Sequence, residues 1–282
     1  MKNYDENSES QSYWNEEGGN KWAENIDIVE SIIEPLSEIL IKKIAAKNGE
    51  IALDVGCGGG ITSIKLANMV SPAGSVLGVD VSEPIISIAQ KRAKAIDNIS
   101  FQQRDAASVE LGTDRFDIIT SRFGVMFFDD PVSAFKNLHS SLKNSGRLIF
   151  MCWRGLDENP WIADPAKAAF EILPPPADAE KPDPTAPGPF SLADKEHLTS
   201  ILASAGFNNI DLQAVDADLP MGQLEQAISF LMKMGPAAEI IKEASDDKKA
   251  EVAIAMQKIL SKYEKEGESR IPSATWLVSA SK

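Results

Sequence analysis

The spacing of apolar positions changes period along the chain. Between residues 26 and 46, Ile28, Ile32, Ile33, Leu36, Ile39, Leu40 and Ile44 recur every three or four positions, which predicts a helix with a break at Pro35. From residue 51 onward the apolar positions gather into short continuous runs. Ile51–Val55, Ser75–Asp80, Ser100–Arg104, Phe116–Ser121 and Arg147–Trp153 read as five buried strands. Helical stripes lie between them: Ile61, Ile64 and Ala67; Ile85, Ile88, Ala89 and Ile96; Phe135, Leu138 and Leu142. Ser82 with Pro84, and Asp130 with Pro131, are helix starts, because a short polar cap accepts an orphan N–H and proline needs no hydrogen-bond partner in the first turn. Strands alternating with helices predict right-handed crossovers and a parallel sheet.

After Trp153 the pattern loosens. Pro160, Pro165, Pro174, Pro175, Pro176, Pro182, Pro184, Pro187 and Pro189 punctuate residues 154–193. A helix from Trp161 to about Leu173, with Asn159 as its cap, is expected inside that stretch. A further helix spans Asp194 to Ala205 and ends at Gly206. Ile210–Val215 reads as a sixth strand and Ala274–Ala280 as a last one. Between them residues 223–265 are helical and charged, broken near Gly235-Pro236 and near Ser245. The chain thus divides into an N-terminal tail and helical lid (1–46), a core (47–153), a Pro-rich cap segment (154–193) and the rest of the core (194–282) carrying a helical insertion at 220–268. Residues 1 to about 12 are polar, and a disordered tail is expected there. Tyr13, Trp14 and Trp22 follow; they either pack back on the domain or line a lid over the site.

Composition narrows the classes. The chain has 282 residues, and 43% are hydrophobic, enough for a sizeable core. There is no run of about 18 apolar residues to span a bilayer and no signal pattern, so a cytoplasmic location is expected. Cys57 and Cys152 make neither a disulfide framework nor a metal spacing. The formal net charge of −14 disfavours a nucleic-acid partner, although a local basic groove stays open.

The richest chemistry lies in Leu53-Asp54-Val55-Gly56-Cys57-Gly58-Gly59-Gly60, a strand running through a glycine loop into a helix. Ligands of open α/β sheets bind at the carboxyl ends of the strands. A dinucleotide fingerprint places its third glycine where Ile61 stands, and the Gly-Lys-Ser/Thr of a phosphate loop is absent. An acid at the mouth and no basic residue in the loop suit a ligand with a cationic end and no phosphates. S-adenosylmethionine, with an ammonium and a sulfonium, is such a ligand. Gly56, Asp80, Asp105 and Ser121 all fall at or just after the ends of strands one to four. An acid at a strand end also serves as a cap for the next helix, so no one of them decides the matter alone.

With Val79-Asp80-Val81-Ser82, Arg104-Asp105-Ala106 and Ser121-Arg122-Phe123-Gly124-Val125-Met126-Phe127-Phe128, the chain resembles the class I S-adenosylmethionine-dependent methyltransferases, and within them the small-molecule group of methyltransferase type 11 or 25. The resemblance implies a Rossmann-like sheet of seven strands, five parallel plus a C-terminal antiparallel pair, with helical and Pro-rich cap insertions. It implies S-adenosylmethionine as cofactor and S-adenosylhomocysteine as product. Gly56 and Gly58 would pass under the methionine part, with Cys57 a small residue of the same cofactor-binding loop, Asp54 and the Ser121 carbonyl would hold its ammonium, and Asp80 would accept both ribose hydroxyls. Val81 would pack on adenine, Asp105 would accept from the adenine amino group, and the Ala106 N–H would meet a ring nitrogen. Amino-methyltransferases of DNA and RNA usually carry an Asp/Asn-Pro-Pro-aromatic run after strand four, and this chain has Ser121-Arg122-Phe123-Gly124 there.

For an acceptor, Arg122, Phe123, Met126 and Phe127 leave strand four, Trp153 and Arg154 leave strand five, and Tyr13 and Trp22 belong to the N-terminal lid. Aromatic walls suit a planar apolar molecule and arginine an anionic one; the family resemblance ranks quinone-like or phenolic rings ahead of amines and thiols. Phe127 can equally be core. Asp129 and His139 are the candidate bases, His139 the more structural of the two, and no metal is expected. The charged helices after strand six are a cap, an outer face or the contact of a homodimer. The rival readings are a non-catalytic S-adenosylmethionine-binding regulatory protein and an NAD-dependent oxidoreductase.

Overall fold

The computed structural model describes residues 13–176 and 183–282; the polar tail 1–12, with the expectation of disorder there, lies outside the described residues. Helices α1 (Glu17–Ile32) and α2 (Glu34–Ile44) come first. The helical pattern is broken at Ile33, where Pro35 opens the next helix without an amide hydrogen to give. Leu36, Leu40 and Ile44, one turn apart on α2, are fully buried against the sheet.

Strands β1 (Ile51–Val55), β2 (Ser75–Asp80), β3 (Ile99–Gln103), β4 (Phe116–Arg122) and β5 (Leu142–Trp153) follow, linked by α3 (Ile61–Val70), α4 (Glu83–Arg92) and α5 (Pro131–Ser141). Then come α6 (Pro160–Ile172), α7 (Lys195–Ser204), β6 (Asn208–Pro220), α8 (Leu224–Met234), α9 (Ala238–Glu243), α10 (Asp246–Leu260), β7 (Glu264–Lys265) and β8 (Glu268–Ser281). The strand order is β3-β2-β1-β4-β5-β8-β6, with β7 paired only to β8. The first five strands are parallel; β8 runs antiparallel to both β5 and β6. The expected five parallel strands and antiparallel pair are present, and the two-residue β7 is an addition.

Several features depart from the sequence pattern: β5 starts at Leu142, which the apolar stripe placed on the preceding helix, rather than at Arg147. β6 and β8 are much longer than their apolar centres, pairing from Asn208↔Ser281 to Pro220↔Arg270. Asp216 and Asp218 share one face of β6 and Asp211 lies on the other, so the extended strand looks polar when read for burial alone. The β7–β8 hairpin turns through Glu266 (φ 53°) and Gly267 (φ 81°), both left-handed as a type I′ turn requires, but Glu-Gly is not the usual Asn-Gly or Asp-Gly signal. Asn159 caps nothing with its side chain. It is fully buried, donates to the carbonyls of Arg154, Gly155 and Ala274, and accepts from the Ala274 N–H and from Trp161 Nε1. It welds the start of α6 to the sheet.

The long hairpin positions the cap. Trp153, at the carboxyl end of β5, pairs with Thr275, so the segment of β8 before Thr275 runs past that end together with its β6 partners. Helices α8 to α10 are inserted at this overhang. Tyr263, just after α10, donates to Asp164 on α6 at 2.8 Å, fastening the insertion to the cap helix.

Candidate active site

At the carboxyl ends of the parallel strands lies a cavity of about 500 Å³, within the range of small-molecule sites, roughly 300–1,000 Å³. One end is built from the loops after β1, β2 and β3. Gly56 has φ +63°, and a Cβ there would lie 2.7 Å from Gly124 Cα, so only glycine lets the two loops touch. At Gly58, φ +55°, an added Cβ would meet nothing within 4 Å; the bare backbone faces the cavity. Asp80, ending β2, ties this loop down. Its Oδ2 accepts from the Gly58 N–H and its Oδ1 from the Ser82 N–H, each at 3.0 Å, while the carboxylate still borders the cavity. Burial raises its pKa, and the backbone N–H groups of Ser82, Gly58 and Val81 work against that rise. Asp105 accepts from the Ala107 N–H through Oδ1 at 2.9 Å and from Ser108 Oγ through Oδ2 at 2.7 Å, which orients the loop after β3.

The other end is aromatic. Phe123 is held at φ +66°, outside the usual range for a side-chain-bearing residue, and its ring stacks on Trp153 at 4.1 Å and 9°. Trp161 leans on Trp153 at 5.0 Å. In the same cavity, Trp14 meets Trp22 and Phe127 edge-on at 5.6 and 5.4 Å. Pro189 from the Pro-rich segment and Phe230, Leu231 and Met234 from α8 complete the wall. The Pro-rich segment is moored to the loop after β4: the Met126 carbonyl accepts from the Gly188 N–H at 3.0 Å and from Ser191 Oγ at 2.6 Å.

Most of the residues singled out in the sequence meet here. Gly56, Cys57, Gly58, Asp80, Val81, Asp105 and Ala106 line the first end, and Trp22, Arg122, Phe123, Met126, Phe127, Asp129 and Trp153 line the rest. Asp54 and Ser121 sit just behind the wall. Asp54, 1% exposed, accepts from Ser63 Oγ through Oδ2 at 2.5 Å, and its Oδ1 has no partner. Its pKa is pushed up to about 6, chiefly by burial and against the Ser63 hydrogen bond. Ser121 Oγ accepts from the Gly124 and Val125 N–H groups, shaping the turn that presents Phe123.

Three expectations are corrected. His139 lies outside the cavity, edge-on to Phe207 at 5.0 Å, where burial lowers its pKa, so it is not placed to act as a base. Arg154 points away, pairing with Glu158 and Asp216 and covering Trp276. Tyr13 is 54% exposed and rests against Trp14 without reaching the cavity. Asp130 is a helix cap, accepting from Ser133 N and Oγ. Trp14 lines the cavity as the lid alternative expected, while sequence reasoning missed Glu30, Trp161 and the α8 side chains as parts of the site. Trp14 and Trp161 carried an aromatic signal in polar surroundings; Glu30 and α8 carried none.

Residues 52–146 match the family model described as a methyltransferase domain. The demethylmenaquinone methyltransferase of Staphylococcus carnosus (strain TM300) is 27% identical over 182 residues, which cover 62% of this chain and 75% of that protein. Among solved structures, the YcgJ protein of Bacillus subtilis aligns with a TM-score of 0.57 at 19% identity, over 88% of this chain and 98% of that one. Phosphoethanolamine N-methyltransferase 2 of Haemonchus contortus, in complex with S-adenosyl-L-methionine, aligns with a TM-score of 0.60 at 16% identity, over 97% of this chain and 60% of that one. Fold, cavity and matches together support a class I S-adenosylmethionine-dependent methyltransferase. The matches support a methyl-transferring enzyme, and the Haemonchus protein holds S-adenosyl-L-methionine on the same fold.

Proposed function

We propose that the methyl acceptor is a small molecule with a flat, largely apolar ring, of the quinol or phenol type. The observation that carries this reading is the Phe123–Trp153 stack, continued by Trp161 and accompanied by Trp14 and Phe127, in the same cavity as the Gly58 cradle. Aromatic walls bury a planar ring on both faces with little loss of side-chain freedom. The Staphylococcus relative is named for a demethylmenaquinone substrate, which supports a ring of this kind. The net charge of −14 argues against a nucleic-acid acceptor.

The glycine-loop end fits the cofactor. Its bare backbone at Gly58 leaves room for a ligand, and the partnerless Asp54 Oδ1 offers a buried acceptor for a cation. In this reading Asp80 accepts from both ribose hydroxyls, Asp105 and the Ala106 N–H read adenine, and Val81 packs on its face. Gly56, Cys57 and Gly58 underlie the methionine part, with Asp54 and the Ser121 carbonyl toward its ammonium. The bound cofactor supplies an activated methyl group on sulfonium. The residues of this chain supply orientation and dryness: Phe123 and Trp153 hold the ring in line, and the cap excludes water. Bringing two reactants together this way is worth roughly 7–11 kcal/mol. Asp129, on the exposed loop after β4 and bordering the cavity, takes the proton that a hydroxyl or ring carbon releases. The test is to follow S-adenosylhomocysteine formation with a panel of quinols, phenols, amines and thiols. Turnover confined to amines or thiols would overturn the ring reading.

A further inference from the structure

Three charged groups come together behind the glycine loop from elements far apart in sequence. Glu30 stands on α1, Asp54 in β1 and Arg122 at the end of β4. Glu30 is 4% exposed; its Oε2 accepts from Arg92 Nη1 at 2.8 Å, and its Oε1 is buried with no partner. That bare oxygen faces the loop: a Cβ added at Gly59 would sit 2.6 Å from it. Asp54 Oδ1 is likewise buried and partnerless. Arg122 lines the cavity, so it keeps some accessible surface, yet it lies deep enough that burial lowers its pKa while Glu30, Asp54 and Glu34 push it back up. Its one hydrogen bond among the described residues goes to Ser37 Oγ at 2.6 Å, and no carboxylate lies within ion-pairing distance.

Two bare, buried carboxylate oxygens and a guanidinium that feels both charges without pairing to either are costly, because a desolvated charge needs a partner. Here Ser63, Arg92 and Ser37 each hold one of the three groups. What satisfies separated charges of both signs in one small space is a zwitterion. We infer that Arg122 binds the α-carboxylate of the cofactor's amino-acid end, and that Glu30 joins Asp54 in binding its α-ammonium. This rests on the cofactor placement proposed above. It moves Arg122 from the acceptor to the cofactor and makes α1 a part of the binding site as well as a cover. Arg92, which donates to Glu30, to Asp27 and to the Gly59 carbonyl, is the positioning residue that holds α1 against the loop.

The experiment is calorimetric binding of three ligands by the full chain: S-adenosylhomocysteine, its decarboxylated analogue, which keeps the amine, and 5′-methylthioadenosine, which lacks both charges. Arg122→Met is expected to weaken S-adenosylhomocysteine by about 10- to 100-fold, the range of a lost charged hydrogen bond, and to leave the other two within about twofold. Glu30→Gln, which keeps an oxygen for Arg92, is expected to weaken both amine-bearing ligands by about tenfold or more and to spare methylthioadenosine. Retained methylthioadenosine binding also shows that each variant is folded. Equal weakening of all three ligands would make the residues structural and overturn the inference. So would unchanged affinities, or a wild type that binds S-adenosylhomocysteine no more tightly than methylthioadenosine. If wild type binds none of the three, the cofactor placement itself falls, and the inference with it.

Discussion

The two ends of the cavity are made by different means. The glycine-loop end comes from successive strand-to-helix turns of one parallel sheet, and its groups are backbone amides and short acids. Their positions follow from where β1, β2 and β3 stop. The aromatic end is assembled from side chains near residues 14, 22, 123, 153, 161 and 230, which meet only because the chain folds over itself. A ligand part recognised by the first end is read by fixed dipoles and charges; one recognised by the second is read by shape. In the proposed reading the first end takes the cofactor and the second the acceptor, and the two meet where Gly56 touches Gly124.

That contrast can be broken experimentally. The largest effect is expected from Asp80→Ala, which removes a carboxylate and frees the Gly58 N–H it holds. Affinity for S-adenosylhomocysteine should fall by about 100-fold or more in calorimetry, the scale of two charged hydrogen bonds. Unchanged affinity would sink the ribose assignment. Next comes Gly56→Ala. Its Cβ would collide with Gly124 Cα at 2.7 Å in a left-handed conformation, so urea unfolding should show a loss of about 2–3 kcal/mol. Both ends should suffer, because the two loops touch there. Phe123→Ala should then separate them, raising the acceptor KM about tenfold, the scale of a lost aromatic stack, while cofactor affinity stays within about twofold. If both move together, the ends are not independent.

Smaller and sharper is the pH response of Asp54. Its folded pKa, pushed up to about 6, lies above the unfolded value of about 3.8, so the folded form holds the extra proton between the two. The stability this carboxyl contributes is present below about pH 4 and is lost as pH rises toward about 6. Asp54→Asn should flatten that decline in unfolding curves of the ligand-free protein. In wild type, S-adenosylhomocysteine affinity should rise through the same window as the carboxylate forms, and the variant should lose that rise. The smallest effect is expected at Arg154. Its pairs with Glu158 and Asp216 lie outside the cavity, so Arg154→Ala should cost about 1 kcal/mol or less in thermal unfolding and leave kcat within about twofold.

Particular residues show how far the chain could be read unaided. Ser75–Asp80 appears in the structure with the ends its apolar run predicts, because a strand buried on both faces has no polar alternation to blur it. Asp80 and Gly58 were placed by the same logic, since the end of a parallel strand is also the mouth of the site. The apolar centres of β6 and β8 stop short of the strand ends because the outer halves carry exposed charged residues, Asp216 and Asp218 on one and Glu268 and Arg270 on the other. His139 and Arg154 looked functional by residue type alone, and their neighbours, Phe207 in one case and Glu158 and Asp216 in the other, took them out of the site.

What the sequence determined by itself is therefore the alternation of strands and helices, the glycine loop and the acids at the strand ends. All of these depend on residues within about ten positions of one another. Only the tertiary structure decided which aromatic rings line the cavity, that Arg122 feels the charges of both Glu30 and Asp54, and that the β6–β8 overhang carries the helices α8 to α10. Those are contacts between segments separated by tens to hundreds of residues, and no local period records them. They are set by packing, which selects one set of neighbours from the many that an apolar or charged side chain would accept.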